Sequence, residues 1–129
     1  MFVEAQEINE QTLATQDTGE PDLDVGQTYH NMASVYMEQG DYTKALDTYQ
    51  KSLDIRLKAL GEEHPDVANT YNNMAIVYRN QGDYSKALDF YQKALDIRLK
   101  ALGPEHPSTK RTIQNMEIAR ELQAVEKPQ

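Results

Sequence analysis

Apolar residues recur at steps of three and four along most of the chain, the spacing of one face of an α-helix. Tyr42, Ala45, Leu46, Tyr49, Leu53, Leu57 and Leu60 form one such stripe. A helix over residues 43–60 spans about 27 Å at 1.5 Å per residue. Gly61 stands where a left-handed residue commonly ends a helix. Upstream, Val25, Tyr29, Met32, Val35 and Tyr36 make a second stripe, which predicts a helix over 24–38. Between the two lies Gln39-Gly40-Asp41-Tyr42, a glycine stop followed by an aspartate placed to cap the next helix. Two helices joined by so short a turn pack antiparallel.

The whole pattern then repeats. Residues 24–65 overlie 66–107 with 32 of 42 positions identical. The ten differences fall at positions 26, 27, 30, 34, 37, 38, 43, 48, 52 and 62, while Leu53 to Gly61 is copied unchanged at Leu95 to Gly103. In the second unit the first helix is expected over 66–80, with Pro65 and Asp66 at its start. Proline lacks an N–H that would have no partner there, and aspartate complements the helix dipole. On the long helices Asp47 precedes Lys51, and Asp54 precedes Lys58, by four residues. These charges read as a solvated outer face with weak ion pairs.

A third first-type helix is predicted over 108–124, where Thr112, Asn115 and Met116 match Thr70, Asn73 and Met74. Glu117 replaces Ala75 and Arg120 replaces Tyr78, so positions that pack inside the array have become charged, as a terminal capping helix requires. The predicted organisation is therefore a segment 1–23, repeats 24–65 and 66–107, a capping helix 108–125 and a tail 126–129. Gly19 and Leu13 sit 42 residues before Gly61 and Ile55, which leaves residues 1–23 open between a decayed helix and a tail. The fold class is all-α, a superhelix of paired helices.

With these residues aligned, the unit resembles the tetratricopeptide repeat. Its signature of small and large residues is met by Tyr71, Met74, Ala75, Tyr78, Gly82, Asp83, Tyr84, Ala87, Tyr91, Ala94 and Leu95, and in the first unit by Tyr29, Met32, Ala33, Tyr36, Gly40, Asp41, Tyr42, Ala45, Tyr49 and Leu53, with Ser52 where the family prefers alanine. Alanines let two helices cross closely while tyrosines fill the gaps beside them. All eight tyrosines fall in the two units. The 42-residue period, longer than the usual 34, and the Leu-Gly-x-Glu-His-Pro connectors at 60–65 and 102–107 are similar to the repeats of kinesin light chains and nephrocystin-like proteins.

The resemblance implies a non-catalytic adaptor or scaffold whose first helices line a concave, peptide-binding face. Carried over position by position, that face comprises Gln27, His30, Asn31, Ser34 and Glu38, then Asn69, Asn72, Asn73, Ile76, Arg79 and Asn80, and last Arg111, Gln114, Asn115 and Ile118. Asn31, Asn73 and Asn115 recur every 42 residues. A row of carboxamides both donates and accepts, which suits a peptide backbone equally with bonds to neighbouring helices that set the stacking angle. With Arg79 and Arg111 as the only cations on this face, a clamp for a C-terminal carboxylate is not expected.

Charge and composition narrow the partners. A net charge of -8 disfavours phosphate-backbone binding, since that affinity comes from Lys and Arg, and equally disfavours anionic membranes. The absence of cysteine excludes disulfides and thiolate metal sites and fits a cytoplasmic setting. No window approaches the roughly 20 apolar residues of a membrane span, and the first residues lack a secretory pattern. His64 and His106 stand in connectors 42 residues apart, which predicts structural roles rather than a metal. No phosphate loop, metalloprotease helix or serine elbow occurs, so neither an enzyme nor a cofactor is expected. The leading expectation is capture of a protein or peptide partner. Its rivals are self-association into a homo-oligomer, because an array needs about three repeats, and origin as a piece of a longer repeat protein.

Overall fold

The computed structural model describes residues 21–126. Five helices follow one another: α1 (Leu23–Glu38), α2 (Tyr42–Leu60), α3 (Pro65–Asn80), α4 (Tyr84–Leu102) and α5 (Pro107–Glu126). They form two antiparallel hairpins, α1/α2 and α3/α4, with α5 packed on α4. The predicted helices are all present, their ends within two residues of expectation. The expectations for residues 1–20 and 127–129 lie outside the described residues.

Local sequence explains each boundary. Asp41 and Asp83 accept from the backbone N–H groups of Lys44 and Lys86, both at 3.2 Å, and so cap α2 and α4. Pro65 opens α3 without a donor to waste. At the same junction His64 Nδ1 accepts from the Asp66 N–H at 3.0 Å, and His106 Nδ1 accepts from the Ser108 N–H at 3.1 Å. The two connector histidines are thus helix caps, the structural role anticipated for them. Gly61 and Gly103 end the long helices at φ 87° with ψ near 169° and 166°, an extended mirror-image region rather than the left-handed helical one expected, and one essentially confined to glycine.

The core runs between the layers. Ala33, Ala45, Ala75 and Ala87 are fully buried at the crossings inside each hairpin, and Tyr49 and Tyr91 fill the space beside them. The aspartates and lysines of the long helices lie outside, yet the anticipated Asp47–Lys51 and Asp54–Lys58 ion pairs do not form. Instead Lys51 lies over the Tyr29 ring, Lys44 over Tyr36 and Lys86 over Tyr78, and Asp54 accepts from Gln50. Lysine stems covering apolar rings gain more from cation–π contact and packing than from an exposed ion pair.

On α5, Thr109, Thr112, Met116 and Ala119 are buried against α4, while Lys110, Glu117 and Arg120 are exposed. Its last turns are tied back to α4 by Gln123 donating to Ser85 and Tyr84 donating to Glu126. No helix among the described residues is long and apolar enough to cross a membrane.

Candidate functional site

The inner layer consists of α1, α3 and α5, the first helix of each unit. Helices α1 and α3 touch directly across the array, through His30 and Asn73, which makes this the closely spaced side. The fifteen residues predicted from sequence divide by depth. Gln27, Asn31, Glu38, Asn69, Asn80, Arg111, Gln114 and Ile118 are exposed; Ser34, Asn73, Ile76, Arg79 and Asn115 are half-buried. His30 and Asn72 are buried, at 9% and 8% exposure, so they belong to the floor and not to the rim.

Beneath the face runs a network centred on a residue the sequence reading left out. Arg56, on α2, is buried and points inward between α1 and α3. Its Nη1 donates to the Thr70 hydroxyl at 2.9 Å and to the Asp66 carbonyl at 3.2 Å, and its Nη2 donates to Gln27 Oε1 at 2.8 Å. The same Nη1 lies 3.2 Å from His30 Nδ1. A guanidinium has only donors, so Nδ1 accepts, and the neutral ring carries its proton on Nε2. That nitrogen faces the Asn73 carboxamide at 3.0 Å, and donor counting puts the carboxamide oxygen on the ring side.

Burial, reinforced by the Arg56 charge, lowers the His30 pKa to about 4, with Asp66 opposing. Arg56 itself is held below its ordinary value by desolvation, again opposed by Asp66. One short network thus locks α1, α2 and α3 together with neutral acceptors on a buried cation.

Gln27 has a second task, donating from Nε2 to Asn31 at 2.9 Å. The Ser34 and Tyr49 hydroxyls share a hydrogen bond of 2.8 Å, and the His30 ring meets Tyr49 edge-on at 5.3 Å between centroids. Asn73 is therefore engaged in stacking the units, the alternative weighed for the asparagines, while Asn31 and Asn115 keep polar atoms toward solvent.

Arg98 repeats the arrangement one unit later. It donates to Thr112 at 2.7 Å, to the Ser108 carbonyl at 3.4 Å and to Asn69 at 3.1 Å. Here the fourth acceptor is missing, because Asn72 replaces His30 and makes no hydrogen bond to it. Burial lowers the Arg98 pKa, and Arg111 adds to the fall. The Tyr91 hydroxyl also loses its partner, since Ile76 stands in place of Ser34. Burial raises its pKa; the Arg79 guanidinium lies near enough to oppose the rise without reaching good hydrogen-bond geometry.

The sequence carried a signal for the two arginines. Tyr49, Leu53, Arg56 and Leu60 are spaced by four, three and four, so Arg56 lies on the buried stripe, within the stretch copied unchanged. A charged residue on a core stripe needs partners, and Thr70 and Thr112 follow each arginine by 14 residues. Among the described residues no cluster of three or more His, Cys, Asp or Glu is placed to hold a metal. A shallow open cleft of about 420 Å³ lies on the other side of α3, between Leu46, Gln50, Met74 and Tyr78.

Known proteins share this architecture. A family model described as tetratricopeptide repeat matches residues 24–100 and 66–124. The photosystem I assembly protein Ycf3 of Prochlorococcus marinus is 45% identical over 53 residues, 41% of this chain and 29% of that protein. Ycf3 of a Synechococcus strain is 40% identical over a stretch of the same length. Among solved structures, BtubC (BKLC) from P. vanneervenii superposes with a TM-score of 0.78 at 23% identity, covering 93% of this chain and 48% of that one. The nearly identical TPR-like repeats of a Podosopora anserina protein of the kinesin light chain type give 0.74 at 24% identity, covering 94% and 58%. The chain thus spans under a third of the Ycf3 proteins and about half of the structural neighbours.

Proposed function

Because the chain belongs to the tetratricopeptide repeat family, we propose that its inner face, lined by α1, α3 and α5, is a non-catalytic interaction surface holding a peptide segment of a partner protein. The observation that carries this reading is the division of labour in the repeat. Most scaffold positions are copied, whereas five of the ten positions that differ between units, 27, 30, 34, 37 and 38, lie on or beside the inner face. Exposed Asn31, Arg111 and Gln114, with half-buried Asn115, leave donors and acceptors directed at solvent on a face held rigid from beneath by Arg56 and Arg98. A rigid floor lowers the ordering cost of binding. The Ycf3 relatives, named for photosystem I assembly, supply a precedent for an assembly role without identifying a partner for this chain. A cytoplasmic setting belongs to the same reading and draws support from the cysteine-free composition.

End-to-end self-association is the weaker reading. The outward side of α5 presents Lys110, Glu117 and Arg120 where α3 offers Ala68, Ala75 and Tyr78 to α4, so a second copy's helix would have to bury unpaired charge. The test replaces two exposed inner-face residues, Asn31→Ala with Arg111→Ala. Helical circular dichroism should be unchanged, and partners captured by the parent chain and identified by mass spectrometry should be depleted. Undiminished capture by the double variant would remove the inner face from the function.

A further inference from the structure

The last helix departs from its two predecessors at its end. Helices α1 and α3 stop after 16 residues, followed by Gly40 and Gly82 at positive φ and by the capping Asp41 and Asp83. One unit later Ala124 and Val125 stand at the places of Gly82 and Asp83. Nothing there breaks the helix, so α5 runs on to 20 residues. Ile118, Leu122 and Val125, spaced by four and then three, share one side of it. They are 46%, 39% and 84% exposed. The turn that carries Val125 is tied down, since Gln123 donates to Ser85 and Tyr84 donates to Glu126. A valine where the repeat has a capping aspartate thus completes an apolar ridge, held in place and unpartnered among the described residues.

A feature of matching character lies between α2 and α3. The open cleft of about 420 Å³ has buried Met74 with half-buried Leu46 and Tyr78 as its apolar lining, and exposed Lys44, Asp47 and Gln50 on its rim. At the equivalent place one unit later Arg120 replaces Tyr78, so that lining is not repeated. Charge at the margins of ridge and cleft is opposite. Glu121, beside Leu122, is exposed. Among the described residues it has no cation within 4.0 Å, and Lys44 has no carboxylate within that distance.

We propose that the end of α5 in one copy of this chain docks in the α2–α3 cleft of another, with Leu122 and Val125 against Leu46 and Tyr78, and Glu121 against Lys44. Both halves of the contact are present on one chain, and their marginal charges are complementary, which favours a second copy as occupant. The contact is independent of the inner-face reading. It also differs from the end-to-end stacking set aside above, which would bury Lys110, Glu117 and Arg120 on another side of α5. Ridge and cleft are different patches, so the contact is heterologous. Each pairing leaves a free ridge and a free cleft, and assembly continues into rings or chains instead of stopping at two copies. A net charge of -8 on every copy opposes association at long range. Moderate salt screens that repulsion and is the condition for the test.

The test is sedimentation velocity of the full chain over a concentration series. The average mass should climb past twice the 14.7 kDa of one chain. Val125→Asp restores the residue of the earlier units at an exposed site, so helical circular dichroism should be unchanged. Assembly should weaken about tenfold, the effect of withdrawing one aliphatic side chain from the contact. The contact itself can be trapped as a disulfide, because the chain has no cysteine of its own. Gln50→Cys and Val125→Cys chains, mixed and oxidised, should link to each other more than either links to itself or than Val125→Cys links to a Lys110→Cys control. A chain that stays monomeric throughout the series overturns the proposal, as does assembly unchanged by Val125→Asp. Val125→Cys linked mainly to itself would mean ridge against ridge in a closed dimer, and overturns it too. A monomeric chain whose Leu46 and Tyr78 resonances shift on deletion of residues 1–20 would give the cleft to that segment instead.

Discussion

Gln27 on α1 accepts a 2.8 Å hydrogen bond from Arg56 on α2, across 29 positions of sequence, while that guanidinium also holds Thr70 on α3. The bond joins the rim of the inner face to the joint between units, so stability and groove shape depend on one side chain.

Arg56→Ala should lower stability by about 3 kcal/mol, because it removes buried packing and strands several acceptors at once. Arg56→Lys should recover only part of this, since an ammonium cannot span Gln27 and Thr70 as the planar fork does. Urea denaturation followed by circular dichroism measures both, and a loss below about 1 kcal/mol for Arg56→Ala would show that the network is ornamental.

Stability should fall on mild acidification. The folded-state pKa of His30 is lowered from 6.5 to about 4, so the unfolded chain takes up its proton first. The contribution of this group is fully present above pH 6.5, is lost as pH falls toward 4, and amounts to at most about 3 kcal/mol. His30→Asn, which copies the residue at the equivalent position of the second unit, should flatten the curve between those limits. An unchanged slope in urea melts across that range would contradict the buried neutral imidazole.

The two equivalent tyrosines should respond oppositely to loss of the hydroxyl. Tyr49→Phe breaks the bond to Ser34 and should cost about 1 kcal/mol. Tyr91→Phe removes a hydroxyl with no partner and should be neutral or stabilising by up to about 1 kcal/mol. Thermal melts of the pair decide it through the sign of the difference.

Gly26→Ala should stabilise by about 0.5 kcal/mol through helix propensity. The added Cβ meets Ile55 Cγ2 at 3.1 Å, a contact that must relax. The second unit shows that it can, with Ala68 in the equivalent place opposite Ile97. Ser52, the departure from alanine seen in the sequence, donates to the Gly26 carbonyl at 2.8 Å. A urea midpoint below that of the parent would mean that Ile55 does not yield.

Most of the helical scaffold could be read from the chain because the repeat supplies its own alignment. Stripes of spacing three and four located each helix, and Gly61 and Pro65 marked a stop and a start. The candidate site was readable only as a face. Periodicity identifies which residues share a side of a helix, but depth depends on what the next layer inserts. His30 and Asn72 therefore went to the rim although they are floor, and Arg56 and Arg98 were missed because a long side chain starting on an outer helix reaches the inner one. The Asp–Lys pairs failed for a related reason: spacing showed the charges as neighbours, while the tyrosine rings that attract the lysines came from the preceding helix.

Tyr84 and Ser85, at the start of α4, are tied to Glu126 and Gln123 at the end of α5. That clasp closes the end of the α4–α5 pair opposite Arg98 and Thr112. Helix α5 is thus pinned to α4 near both of its ends, so loosening either end leaves the other to hold the helix in place.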